Sequence, residues 1–406
     1  MESNRQWFGR LTAALCSVSL LAPAQAQNRE PITIPIITPL SGAGAVLGQD
    51  IQKGVALGVE HINAAGGIKS MGGRPLRIEV VDTQGKPEIA RVEMERLAVR
   101  NNAPMVLGGE ISAGTGAAAQ FAETYGLPFV NSAAANSDLL QRGYKWYFTE
   151  QITNEDEAAT WLALLKHLAE KAGGAPPTVA FLYEDSPRGA GSAKLAKKLV
   201  EAAGFKVVAD VSYNRAERNL LTHVAKVQQA KPEVLMWAGY TEDVAAGLKA
   251  MQQLNFTPYI LGAGGGPGDP RMPELVGAAF VDKVHLSTVD YFAADTERAK
   301  RFVVPYTKQY GQVPSSYASI GYRAAFLAKA VLEKAGKLDR AAIRSALQGL
   351  NIPGSELISP FKSVQFAPDG RNLGAQNAVT QWQDGRKSTV WPPEIAVKPP
   401  APLRGR

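Results

Sequence analysis

Residues 32–82 read ITIPIITPLSGAGAVLGQDIQKGVALGVEHINAAGGIKSMGGRPLRIEVVD, and this stretch decides the fold. Its first seven residues are β-branched and apolar, which suits a strand, although Pro35 is unusual in a central one. After a Gly- and Ser-containing turn, apolar residues recur at Ile51, Val55, Val59 and Ile62, the spacing of a helix with one buried face. Gly66 and Gly67 end that helix. Leu76 to Asp82 is then a second strand. Working outward, the alternation continues with a helix over 87–100, a strand over 104–107, a helix over 115–125 and a strand over 127–130. Strands and helices taking turns predict a parallel sheet wrapped on both faces.

The pattern restarts at a long helix over 155–172, closed by Gly173-Gly174 and Pro176-Pro177. Strands over 179–183, 205–211, 234–237 and 259–261 alternate with helices over 190–203, 220–230 and 242–254, so a second α/β series follows the first. Three more helices are expected over 296–309, 316–335 and 340–349, then short strands near 363–366 and 378–383. The end of the chain, with Trp391-Pro392-Pro393 and Pro399-Pro400, reads as an extended tail. The expected division is 30–150 plus 288–360 for one lobe, 151–287 plus 361–392 for the other, and 393–406 for the tail.

Residues 1–26 read as a cleaved export signal. Arg5 and Arg10 precede the apolar run Leu11–Pro23, and Ala24-Gln25-Ala26 is a small-x-small cleavage site. That run falls short of the roughly 20 residues that span a bilayer, so no membrane insertion of the mature chain is expected. The single cysteine, Cys16, lies inside the run, and cleavage would leave a chain without disulfides. The whole chain of 406 residues carries 44 basic and 37 acidic residues spread along its length, with neither the basic stripe nor the motif of a nucleic-acid binder.

Three groups of small polar residues follow strands: 41–44, 108–115 and 131–137. In an open parallel sheet such turns lie at the carboxyl edge, where ligands bind. Bare backbone amides, helix N-termini and the hydroxyls of Ser112 and Thr115 suit a carboxylate there. The same glycines and alanines also serve simple close packing at strand–helix turns. Catalytic and cofactor signals are missing: the four histidines are isolated and lack metal spacing, and neither a nucleophile elbow nor a phosphate loop occurs. Gly42, Gly44 and Gly48 miss the dinucleotide spacing by one residue. No enzyme, metal or cofactor is expected.

The segments 34–48, 61–68 and 76–82, the run 133–144 and Gly321-Tyr322 together resemble the leucine/isoleucine/valine-binding type of periplasmic receptor, from about Ile32 to Trp382. The resemblance implies a type I periplasmic-binding fold: two doubly wound parallel-sheet lobes joined by three crossover segments, with a ligand in the cleft. It implies that Ser112 holds a ligand carboxylate, that backbone groups at Ala133 and Ala135 assist, and that Tyr240 contacts the ligand. Family members often have a threonine where this chain has Ala135, and Asn136 or Thr115 is the replacement considered for the lost hydroxyl. An aromatic residue of the family gives way to Arg188. Around Gly264, within 262–266, the chain lacks the glutamate that pairs with an amino group in relatives that bind α-amino acids.

Arg188 in the cleft would favour an anion that need not carry an amino group. Alternatively Arg188 faces solvent, and Asp185, Glu242 or Asp290 supplies the negative charge. The function expected is a periplasmic solute-binding protein of an ABC importer, taking a small amino, aromatic or aliphatic acid and partnering a membrane permease. A sensor built on the same fold, or a secreted α/β enzyme, is the alternative.

Overall fold

Seven residues, all buried except the half-buried Thr33, form β1 (Ile32–Thr38) in the computed structural model, which describes residues 30–42, 44–109 and 111–403. The export signal lies outside the described residues. Ile32, Ile34 and Ile36 enter one core and Ile37 another, so β1 is apolar on both faces, as a covered parallel sheet requires. The first lobe continues through α1 (Ala45–Ala64), β2 (Leu76–Asp82), α2 (Pro87–Val99), β3 (Val106–Gly108), α3 (Ser112–Tyr125), β4 (Phe129–Asn131) and β5 (Tyr147–Thr149). Its strands lie in the order β2-β1-β3-β4-β5, all parallel. Pro35 is accommodated because β3 joins β1 only from Ile36 onward.

The chain then crosses to a second sheet. Its elements are α4 (Asn154–Ala172), β6 (Val179–Glu184), α5 (Pro187–Ala202), β7 (Val207–Tyr213), α6 (Leu221–Gln229), β8 (Val234–Ala238), α7 (Thr241–Gln253), β9 (Tyr259–Ala263), α8 (Met272–Val276), α9 (Ala278–Lys283) and β10 (Ser287–Asp290). A second crossing returns it to the first lobe, where α10 (Lys300–Tyr310), α11 (Ser316–Ala335) and α12 (Arg340–Gln348) are followed by the small pair β11 (Ile352–Pro353) and β12 (Ser363–Val364). A third crossing delivers β13 (Ala378–Gln383) and β14 (Arg386–Trp391), which extend the second sheet to the order β14-β13-β10-β9-β8-β6-β7.

Each sheet is covered on both faces. In β8, Leu235 and Trp237 pack into the core of α6 and α7, while Val234, Met236 and Ala238 pack toward α4 and α5. Four strands, β5, β10, β11 and β14, are additions to the expected pattern. Trp391 ends β14. The proline-rich end lies along the second lobe: Tyr259 Oη donates to the carbonyl of Ala401 at 3.0 Å, and Gln383 Nε2 donates to that of Pro399 at 2.9 Å. No described helix is long and apolar enough to cross a membrane.

Candidate functional site

The carboxyl edges of the two sheets face each other across a small cavity of about 30 Å³. From the first lobe, α3 begins at Ser112, three residues earlier than expected, behind the apolar Ile111, so no side chain caps its first amides. Ser112 is buried and its hydroxyl lacks a partner. Tyr317, in the first turn of α11, is likewise buried with an unpartnered hydroxyl. A buried polar group left unpaired costs about 1–3 kcal/mol. Two of them converging on one cavity mark a place built for a hydrogen-bonding guest.

The second lobe supplies Arg188 from the first turn of α5. Its Nη2 lies 2.7 Å from Glu157 Oε1, its Nη1 donates to Ser192 Oγ, and that hydroxyl donates to Glu157 Oε2 at 3.0 Å. Burial pushes the Glu157 carboxyl above its ordinary range, against the pull of Arg188. The balancing carboxylate is therefore Glu157, one turn into α4, and Arg188 neither faces solvent nor stands as an unpaired cation. Asp185 and Glu242 are exposed, and Asp290 is engaged by Ser316 and Lys387.

Tyr240 lines the cavity after β8, with the guanidinium of Arg215 lying 3.8 Å from its ring centroid. Gly264 and Gly265 explain why the loop after β9 is glycine-rich. A Cβ at Gly265 would lie 2.4 Å from the Tyr317 ring, and Gly264 has φ +82° with Arg188 Nη2 3.0 Å from where its Cβ would sit. Gly265 lets the two lobes approach, and Gly264 makes room for Arg188 within the second lobe.

Of the residues singled out in the sequence, Ser112, Ala133, Ala135, Arg188, Tyr240 and Gly264 line this cavity. Ala133 does not offer its amide, because Asn131 Oδ1 accepts it at 3.1 Å. Two residues stand outside the lining. Thr115 is carried one turn into α3 by the early helix start, and Asn136 caps the 3₁₀ turn Ser137–Arg142, accepting from the amide of Asp138. The sequence reading missed Glu157, Tyr291 and Tyr317, all in the lining. The last two follow the second crossing, far along the chain from the turns that flagged the site. Among the described residues no cluster suits a metal ion.

A latch joins the lobes beside the cavity. Arg271, just before α8, places Nη2 3.2 Å from Asp50 Oδ2 of α1 and 2.6 Å from Asp269 Oδ2. Ser315 Oγ donates to the same Asp50 oxygen at 2.7 Å. Arg271→Gln is expected to weaken solute affinity by roughly fivefold, about 1 kcal/mol, because it removes a contact made only when the lobes meet. X-ray scattering of the solute-free variant should show a larger radius of gyration than the wild type, and equal radii would remove the latch from closure.

A family model described as periplasmic binding protein matches residues 31–387. A Leu/Ile/Val-binding protein homolog 8 of Brucella suis is 28% identical over 398 residues, covering 95% of this chain and 97% of the relative. A Leu/Ile/Val-binding protein homolog 7 of Brucella abortus is 28% identical over 389 residues, covering 94% and 96%. Among solved structures, the substrate-binding protein LivJ of Streptococcus pneumoniae, in complex with isoleucine, superposes with a TM-score of 0.75 at 20% identity, covering 89% of this chain and 100% of that one. A solute-binding protein of an ABC transporter from Rhodopseudomonas palustris, in complex with 3,4-dihydroxybenzoic acid, superposes with a TM-score of 0.70 at 17% identity, covering 90% and 94%. At these identities the solved structures establish the type I two-lobed fold.

Proposed function

Because the chain belongs to the periplasmic binding protein family, a family of solute-binding proteins and not of enzymes, we propose that it captures a small carboxylate-bearing solute between its lobes and presents it to the permease of an ABC importer. The observation that carries this reading is the unpartnered Ser112 hydroxyl at the uncapped start of α3, inside the inter-lobe cavity. That arrangement offers a carboxylate a hydroxyl donor, backbone amides and the positive end of a helix. Tyr240, Tyr291 and Tyr317 give the solute's body aromatic walls. The proposed site of action is extracytoplasmic, after cleavage behind Ala26. N-terminal sequencing of the exported protein should begin at Gln27, and an uncut N-terminus would contradict the signal.

Closure follows from geometry. Ser112 and Tyr317 belong to the first lobe and Arg188, Glu157 and Tyr240 to the second, so all contacts exist at once only when the lobes meet. A solute then stabilises the closed state by its differential affinity for it.

A second observation bears on the class of acid. Arg188 is balanced by Glu157, and each Glu157 oxygen receives one hydrogen bond within the Arg188–Ser192 group. The spare lone pairs can receive an ammonium, so the pair restores the α-amino acid reading that an unpaired arginine would oppose. Calorimetry with leucine and with 3,4-dihydroxybenzoate separates the two classes. Ser112→Ala should keep the fold and weaken whichever acid binds by about 1–3 kcal/mol, roughly 5- to 150-fold. An unchanged dissociation constant would take Ser112 out of the site and the carboxylate reading with it.

A further inference from the structure

A second cavity, about 450 Å³, opens in the first lobe between α11 and the segment 352–364. Its walls are apolar, with Tyr322, Phe326 and Leu327 on one side and Leu357, Ile358 and Phe361 on the other. That size and character suit a small organic molecule. Phe326 stays 38% exposed in its lining. The lining also includes polar groups. Arg323 is only 5% exposed, and its Nη2 donates to the Ser132 carbonyl at 3.3 Å and to Glu150 Oε1 at 3.4 Å. Its Nε and Nη1 are buried without an acceptor, and so is the hydroxyl of Ser359. Three unpartnered buried donor atoms therefore belong to two residues, Arg323 and Ser359, in the lining of one largely apolar cavity.

The charge around it is positive on balance. Arg298 and Arg301 hold the wall by donating to the carbonyls of Ser359, Phe361, Ser355 and Leu357, and among the described residues neither pairs with a carboxylate. Lys329 at the rim is shared with Glu333 at 3.3 Å. Opposing charge comes from Glu150, already engaged with Arg323, and from Glu356. We propose that this cavity is a second ligand site, for an apolar-bodied monocarboxylate whose carboxylate meets Arg323 and Ser359 and whose chain lies along α11. This ligand class needs no amino group, since Glu150, the carboxylate beside Arg323, is already engaged by that guanidinium. The same guanidinium lies 5.3 Å from the ring of Tyr291, so a residue lining the second cavity neighbours one lining the cleft.

Octanoate is the probe, and octan-1-ol the control that lacks the charge. Calorimetry should show octanoate binding at millimolar concentrations or below, with octan-1-ol at least about tenfold weaker. Ala330→Trp fills the cavity from α11 without touching the cleft. It should weaken octanoate at least about tenfold and leave the affinity for leucine or 3,4-dihydroxybenzoate, whichever the cleft takes, within about twofold. Arg323→Met should cost octanoate a similar factor and spare octan-1-ol. The proposal is overturned if octanoate does not bind the wild type, if the alcohol binds as tightly, or if Ala330→Trp leaves octanoate binding unchanged, which would place the probe in the cleft.

Discussion

Glu157→Met is expected to destabilise the second lobe by about 3–5 kcal/mol, the scale on which removing one member of a buried ion pair acts. The native pair is nearly free of solvent: the side chains of Arg188 and Glu157 are 11% and 2% exposed. Methionine matches glutamate in volume, so packing between α4 and α5 is kept and the loss comes from charge. Arg188 would remain buried with Ser192 as its only close partner among those that now hold it. A guanidinium does not escape by losing its proton, since it stays charged at any pH a folded protein ordinarily meets. The double variant Glu157→Met with Arg188→Met should recover most of the loss, because an apolar pair of similar volume replaces an ion pair at little cost. Urea denaturation of the two variants checks both statements. A single variant as stable as the wild type would mean that water reaches Arg188 and that the pair is not a structural element of the site. Binding supplies a separate reading, because the uncompensated cation should tighten an acid without an amino group and weaken one that carries it.

That pair also shows where sequence reasoning reaches its limit. The alternation of β-branched runs with amphipathic helices made both α/β series legible, because each element is set by local spacing. The turns at 108–115 and 131–137 were legible as site loops for the same reason: a parallel sheet puts every such turn at one edge. Whether Ser112 or Thr115 faced the cleft depended on where α3 begins, and a start three residues earlier turned Thr115 inward. Glu157 is 31 residues from Arg188 and sits on the helix before it, so no local pattern announces their contact. Tyr291 and Tyr317 enter only after the chain has crossed back to the first lobe. The short strands β5 and β10, of three and four residues, are too brief to show a period, and they owe their existence to neighbours already in place.

Gly54→Ala, one added methyl, is expected to cost about 3 kcal/mol, at the upper end of overpacking effects. At Gly54 of α1 an added Cβ would lie 1.8 Å from the carbonyl oxygen of Ala318 in α11, and at Gly321 of α11 it would lie 2.0 Å from the carbonyl oxygen of Ile51 in α1. The obstacles are backbone atoms, so no rotamer change relieves them and the helices must separate. Gly58 and Ala325 continue the same close seam, where an added Cβ at Gly58 would stand 2.9 Å from that of Ala325. Gly116, inside α3, is the control: its nearest neighbour to an added Cβ is Leu139 at 4.0 Å. There the same replacement should stabilise by roughly 0.5–1 kcal/mol, through the lower entropy cost of alanine in a helix. Opposite signs for one chemical change follow only if the α1–α11 seam is as close as described, and equal effects in urea denaturation would refute it. Function should follow stability at this seam. Helix α1 carries Asp50 of the latch, and α11 carries Tyr317 at the cleft and Arg323 beside the second cavity. A shift between these helices displaces groups at all three places, so Gly54→Ala should weaken the cleft solute as well, whereas Gly116→Ala should leave its affinity in place.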